Sequence, residues 1–204
     1  MRAYGSHAAV VLAAGGSRRL GRPKQLLNRA GESLLHRSVR LAAHTGPQHL
    51  LVVLGARHRE LQDEIAGLPG ERWLNPLWEQ GLSTSLQLAA SALAQHPGPT
   101  LILGCDQPAL EFAHLLALLD AAQAAPARCA VTRHGQAPGI PAVLTADWLA
   151  RAPELQGDRG YGALLARVPE QQLAWLDDPA LQLDIDDEDD VARAIARGLL
   201  DRDA

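Results

Sequence analysis

The chain has 204 residues, the length of one domain and too short for two catalytic domains joined by a linker. With 47% hydrophobic and 21% charged residues it has enough apolar surface to build a core, which excludes wholesale disorder. The net charge of -4 and the scattered placement of Lys and Arg argue against non-specific nucleic-acid binding, which needs surplus cations to neutralise phosphate.

Cys105 and Cys129 are the only cysteines. They have no CxxC or Cys/His ligand spacing, which points to a reducing cytoplasm. The eight histidines form no HExxH pair or similar cluster, so zinc is not expected. The run 8–14 has the length of a signal-peptide core, but Gly15-Gly16-Ser17-Arg18-Arg19 follows it, as expected of a strand feeding a loop. No apolar run reaches membrane-spanning length, so no membrane partner is expected.

In chain order, 8–14 reads as a strand apolar at every position and buried on both faces. The segment 33–45 reads as a helix with Leu35, Val39 and Ala42 on one face, and 50–54 as a second buried strand, which together make βαβ logic. A helix over 60–66, a short strand over 72–74 and a helix over 82–94 with Leu82, Leu86, Ala89 and Leu93 along one stripe follow. Thr100 to Leu103 is another apolar strand, running into Gly104-Cys105-Asp106-Gln107-Pro108. The second half predicts a helix over 112–122, strands over 129–132, 142–144 and 182–185, and a C-terminal helix opened by the acids Asp186 to Asp190 and running to about Leu200. The expected architecture is a three-layer α/β/α, Rossmann-like fold with a mostly parallel sheet and a ligand site outside the carboxyl ends of the strands.

The stretch Leu12-Ala13-Ala14-Gly15-Gly16-Ser17-Arg18-Arg19-Leu20-Gly21-Arg22-Pro23-Lys24 carries the first chemistry. Its glycines allow backbone N–H groups to converge on phosphate oxygens, and Arg19 and Lys24 can neutralise a polyphosphate. Gly16 and Gly21 have the spacing of a Walker A loop, but Arg22-Pro23 stands where Lys-Ser/Thr is required, and GxGxxG is absent. Pro23 denies an immediate helix start, so the loop should run on as an irregular excursion. Long cations on such an open loop are expected to add little to core stability.

This stretch resembles the opening motif L-A-A-G-x-S-x-R-[ML]-G-x-x-K of the MobA-like nucleotidyltransferases, in particular the molybdenum cofactor cytidylyltransferases. Asn75-Pro76-Leu77-Trp78-Glu79-Gln80-Gly81-Leu82 with Ser83 and Ser85, Gly104 to Pro108, and Asp184-Ile185-Asp186 with Asp190 agree in order and spacing, so the resemblance spans one nucleotidyltransferase domain over 1–204. It implies that Leu12, Ala13, Ala14, Gly15, Gly16 and Ser17 embrace a triphosphate, that Arg19 and Lys24 stabilise charge, and that Asp106 holds Mg²⁺. Gly81 and Ser83 would face base or phosphate through open N–H groups before a helix, and Gln107 would read a cytosine edge. Trp78 suits a packing wedge as well as a stacking surface. Gly139-Ile140-Pro141 departs from the family's G-H-P, and Gly157-Asp158-Arg159-Gly160 matches its G-D-[KR]-G, an acceptor-side loop.

The implied reaction transfers CMP from CTP to a molybdopterin-type cofactor and releases pyrophosphate. Both reactants are anions, so cations and backbone dipoles do the work, and an ionised phosphate nucleophile needs no general base. Ala14 favours cytidine, since the guanylyl relatives usually carry Gly there. The alternatives are a guanylyltransferase or other NTP:phosphate-acceptor transferase, and, in another class, a cofactor carrier or insertion chaperone. Protein partners would be a molybdoenzyme or its insertion chaperone. For the metal, Asp106 needs one further carboxylate. Asp186 is the expected partner with Asp184 as the alternative, and two carboxylates so close should leave one with a raised pKa.

Overall fold

The computed structural model describes residues 6–202. In chain order it contains β1 (Ala8–Ala13), a small hairpin of β2 (Asn28–Arg29) and β3 (Glu32–Ser33), α1 (Leu34–His44), β4 (His49–Leu54), α2 (His58–Glu64), β5 (Glu71–Leu74), α3 (Leu82–Ala92) and β6 (Thr100–Gly104). The second half contains α4 (Phe112–Ala124), β7 (Ala130–His134), β8 (Ala137–Leu144), α5 (Ala146–Leu149), α6 (Gly162–Leu165), β9 (Ala174–Leu176) and α7 (Glu188–Ala196).

Seven strands form one sheet in the order β5-β4-β1-β6-β8-β7-β9. Every pairing is parallel except the two made by β8, so the sheet is the expected mostly parallel one. β1 is buried at all six positions, and its period-2 alternation divides them between two cores. Ala9, Val11 and Ala13 meet Leu35 and Val39 of α1 and Leu115 and Leu118 of α4. Ala8, Val10 and Leu12 meet Leu86 and Ala89 of α3 and, farther along that face, Leu149 and Leu164. Each fully buried Val or Leu contributes roughly 1.5–3 kcal/mol relative to exposure, so a charge at Val11 would undo both the strand and α1. The Ser33 side chain accepts from His36 N–H and starts α1, satisfying one of the donors a helix leaves open.

The chain leaves β1 for β4 on one side, while β6 lies on the other. The crevice at the carboxyl ends of β1 and β6 is therefore the topological switch point, where open α/β sheets bind ligands. The loop after β1 and the loop after β6 both open there.

The C-terminal part differs from expectation in two places. Residues 182–185 are not a strand: a helical turn covers Pro179–Gln182, and an extended connection follows. It touches the β6 loop through one backbone bond, Ile185 N–H to the Asp106 carbonyl at 2.9 Å. The alternation of Leu183 and Ile185 that mimics a strand serves a third small core, in which they pack with Leu20 and Leu27 of the β1 loop and Val191 and Ala194 of α7. The last strand is instead β9, beside β7. α7 stops at Ala196 rather than about Leu200 because Gly198 adopts φ +67°. Its N–H bonds the Ile195 carbonyl and that of Leu199 bonds the Ala194 carbonyl, the paired closure that ends a helix on a left-handed glycine.

Candidate active site

The β1 loop is held by a residue the motif reading did not single out. Gln25 is 2% exposed and its amide nitrogen donates to the carbonyls of Gly15 at 2.7 Å and Ala13 at 3.2 Å. Its amide oxygen accepts from Ser17 Oγ at 3.3 Å, and Ser17 Oγ accepts from the Lys24 N–H at 3.1 Å. The loop is thus cinched from within, with Ser17 at φ +49°. The irregular excursion expected from Pro23 ends in a short helical turn over Lys24–Leu26.

Trp78 acts as the wedge. A Cβ on Gly16 would lie 2.8 Å from its ring, and one on Gly55 2.6 Å from the Ala14 carbonyl and 2.7 Å from Trp78 Cβ. Both glycines therefore exist for close approach. Leu12 and Ala13 are strand residues facing opposite cores, while Ala14, Gly15, Gly16 and Ser17 form the loop itself.

The charged centre lies where this loop meets the β6 loop and the connection before α7. Lys24 Nζ donates to Asp106 Oδ2 at 2.9 Å and to Asp186 Oδ1 at 3.1 Å, and Arg19 Nη2 lies 2.8 Å from Asp186 Oδ2. The structure thus brings Asp106 and Asp186, eighty positions apart in the chain, within a hydrogen bond of one ammonium. Arg19 is largely exposed, but Lys24 is only 17% exposed, which corrects its expected place on an open loop. Burial alone would lower the Lys24 pKa, but Asp106 and Asp186 outweigh it and hold the ammonium above the ordinary lysine value. Burial alone would raise the Asp186 carboxyl, yet Lys24 and Arg19 hold it below the usual value.

Asp184 differs from Asp186 because the segment is not a strand and its side chain turns inward. Burial first, then the charge of Asp106, push its carboxyl up to about 6, and its Oδ1 is buried without a hydrogen-bond partner. The raised carboxyl is therefore Asp184, outside the expected Asp106–Asp186 pair, in which Asp186 is held low because Lys24 and Arg19 offset the repulsion. Asp187 and Asp190 serve the helix: Asp187 Oδ1 accepts from Asp190 N–H at 3.0 Å, and Asp190 Oδ2 accepts from the N–H groups of Asp186 and Asp187 at 2.9 and 3.1 Å. This cap fixes the backbone of Asp186.

Among the described residues no group of three or more His, Cys, Asp or Glu is arranged to hold a metal. Asp106 and Asp186 nevertheless fit a hard divalent cation, because two carboxylates completed by water and phosphate oxygens are the usual protein contribution to Mg²⁺. Asp184 Oδ1, close enough for its carboxyl to feel the charge of Asp106, is a further acceptor without a partner.

The second loop pair is brought together differently from expectation. Gly81, at φ +107°, packs on Gly157: a Cβ there would lie 2.3 Å from the Gly157 carbonyl carbon. Ser83 N–H is not open to a ligand, because the Gly157 carbonyl accepts it at 2.9 Å. Ser83 is 3% exposed and does not cap α3, which starts on Gly81 without a side-chain cap. Asn75 fastens the approach instead, donating to Thr84 Oγ1 and Ser85 Oγ at 2.8 and 2.9 Å. The spacing of Asn75 and Ser85 carried that signal. Gln107 is buried, with its amide nitrogen donating to the Ile140 carbonyl at 3.1 Å, and only its oxygen is left unpartnered.

An apolar cavity of about 210 Å³ adjoins the charged centre, lined by Leu12, Leu82, Leu86, Ile140, Gly160 and Tyr161 among others. A Cβ at Gly104 would lie 2.6 Å from Asp106 Oδ1 and 3.4 Å from Ile140 Cδ1, so Ile140, which lines the cavity, and Asp106 flank the same glycine.

Residues 9–173 match the MobA-like NTP transferase domain. The chain belongs to that family. A probable molybdenum cofactor guanylyltransferase from Synechococcus elongatus is 33% identical over 181 residues, covering 83% of this chain and 89% of that one. The bifunctional protein GlmU of Nocardia farcinica is 38% identical over 133 residues, covering 61% of this chain and 27% of that protein. The chain thus spans about a quarter of the length of the GlmU relatives it matches. Rv0371c from Mycobacterium tuberculosis H37Rv superposes with a TM-score of 0.79 at 26% identity, covering 94% of this chain and 98% of that one. A manganese complex of Rv0371c shares the fold of this MobA-like chain, with a TM-score of 0.73 at 24% identity and the same coverage. Among the described residues no helix is long and apolar enough to cross a membrane.

Proposed function

We propose that this MobA-like chain is a metal-dependent nucleotidyltransferase that transfers CMP from CTP to the terminal phosphate of a molybdopterin-type cofactor. The observation that carries the reading is the Lys24, Asp106, Asp186 and Arg19 cluster facing the glycine loop at the switch point of the sheet. An acceptor phosphate oxygen attacks the α-phosphorus in line, the bond to the bridging oxygen breaks, and pyrophosphate leaves with the electron pair. Arg19 and Lys24 offset the charge on the triphosphate, and the backbone of 14–17 orients it. Asp106 and Asp186 would hold Mg²⁺, which supplies further neutralisation of the phosphate oxygens. Gly81 and the Gly157 to Gly160 loop frame the acceptor side. Cytidine is preferred on the strength of Ala14, while the name of the Synechococcus relative favours guanosine as the second reading.

The test is pyrophosphate release with purified chain, molybdopterin-type cofactor, Mg²⁺ and CTP, GTP, ATP or UTP in turn. CTP is expected to be fastest, and Asp106→Asn is expected to lower kcat by about a hundredfold or more, the scale for removing a group that holds transition-state charge. Faster release with GTP replaces the cytidylyl reading by the guanylyl one. No release with any nucleotide overturns the transferase assignment and favours a cofactor carrier, whereas full activity in Asp106→Asn overturns the role given to Asp106.

A further inference from the structure

The geometry points to Lys24 as a built-in competitor for the divalent cation: its ammonium binds the oxygens that would hold the metal, so metal binds tightly only when an anionic polyphosphate draws Lys24 away. The inference rests on the nucleotidyltransferase reading for the identity of that polyphosphate, but not for the competition itself.

The competition follows from what is fixed and what can move. Asp106 is stitched at its own carbonyl to Ile185 N–H, and Gly104 provides the space beside its carboxylate. Asp186 is held through its N–H by Asp190 Oδ2 and by the small core that Ile185 joins. Both acids therefore project from braced backbone. Lys24 reaches them on a flexible four-carbon stem whose ammonium is a point charge with rotatable donors.

Charge makes the two occupants exclusive. The second oxygen of Asp186 is already engaged by Arg19, so the two carboxylates that would hold the metal already face two side-chain cations. A divalent cation entering beside the ammonium would put like charges a few ångströms apart. Lys24 must leave, and leaving is favourable when a new anion receives it on the loop that carries it. Linkage then makes metal and polyphosphate each tighten the other by the same factor.

The experiment is Mn²⁺ titration of the metal-free full chain without nucleotide, read by calorimetry and by the loss of the free-ion electron paramagnetic resonance signal. Lys24→Met and Lys24→Gln are expected to bind Mn²⁺ at least about tenfold more tightly than the unaltered chain, and adding Asp106→Asn to Lys24→Met is expected to abolish the gain. Two variants are used so that a folding defect in one, checked by circular dichroism, leaves the other to decide. Equal or weaker Mn²⁺ binding in the variants overturns the inference, and so does a gain that survives Asp106→Asn. No turnover is measured, so failure here leaves the proposed reaction standing, and failure of the pyrophosphate assay leaves the competition measurable.

Discussion

Replacing Lys24 by Met tests whether the charged centre stabilises the fold as well as the chemistry. The substitution keeps most of the stem's volume but removes two charged hydrogen bonds, to Asp106 and Asp186. Each is worth about 1.5–3 kcal/mol in a protected setting. Asp186 is 39% exposed, so its share is cut by solvent screening, and the ammonium's desolvation cost is recovered when it is removed. The net loss is about 2 kcal/mol, which at this chain length lowers Tm by about 4–8 °C. The sign with pH follows from the shifts. A lysine held above its ordinary value of 10.5 contributes fully below that pH, and its contribution is lost as the pH rises through the folded value. Asp186, held below 3.8, contributes above that pH and loses its contribution as the pH falls through its folded value. The difference between the two proteins is therefore widest between about pH 4 and 10 and narrows in stronger acid. Urea melts in chelator-containing buffer at pH 7.5 and pH 3 measure it, and added Mn²⁺ should restore part of the loss at pH 7.5. Equal stability of the two proteins at pH 7.5 refutes the reasoning.

Two further substitutions probe the loops that frame the crevice. Gly81→Ala combines a positive φ with a Cβ 2.3 Å from Gly157 and should cost about 2–3 kcal/mol while separating the two loops; a urea midpoint equal to that of the unaltered chain contradicts the packing. Gln25→Ala leaves the Gly15 and Ala13 carbonyls without the donor that joins them and should cost about 1–3 kcal/mol, with a several-fold rise in the nucleotide KM that exceeds the fall in kcat. An unchanged KM would show that the cradle keeps its shape without Gln25.

The central strands were legible because burial on both faces leaves a continuous apolar run, as in Ala8 to Ala13 and Leu50 to Leu54. β9, with all three residues half-buried, carries no such run, and its place at the sheet edge is decided by pairing with β7. The alternation of Leu183 and Ile185 misled for the converse reason: period-2 burial also arises where an extended segment covers a small core without joining a ladder. Arg19 and Lys24 could be named from residue type and spacing, and Asp106 and Asp186 from the family resemblance, yet their mutual pairing could not, since it depends on how α7 docks on the β1 loop. Gln25 escaped notice because a buried amide tying loop carbonyls leaves no chemical signature in one sequence, whereas Asn75 stood in a matched segment whose spacing to Ser85 marked it without showing the bond it makes.

The small core around Leu20, Leu27, Leu183, Ile185 and Val191 gives the site a divided inheritance. Asp106 is anchored to the sheet, but Asp186 lies beyond the 9–173 stretch that matches the family and is carried by a tail with its own packing. Substitutions in that tail reposition one acid against Lys24 and Arg19 while leaving the seven strands undisturbed. On the proposed function, a handful of apolar contacts around Leu20 and Ile185 would therefore tune cation affinity without altering the sheet.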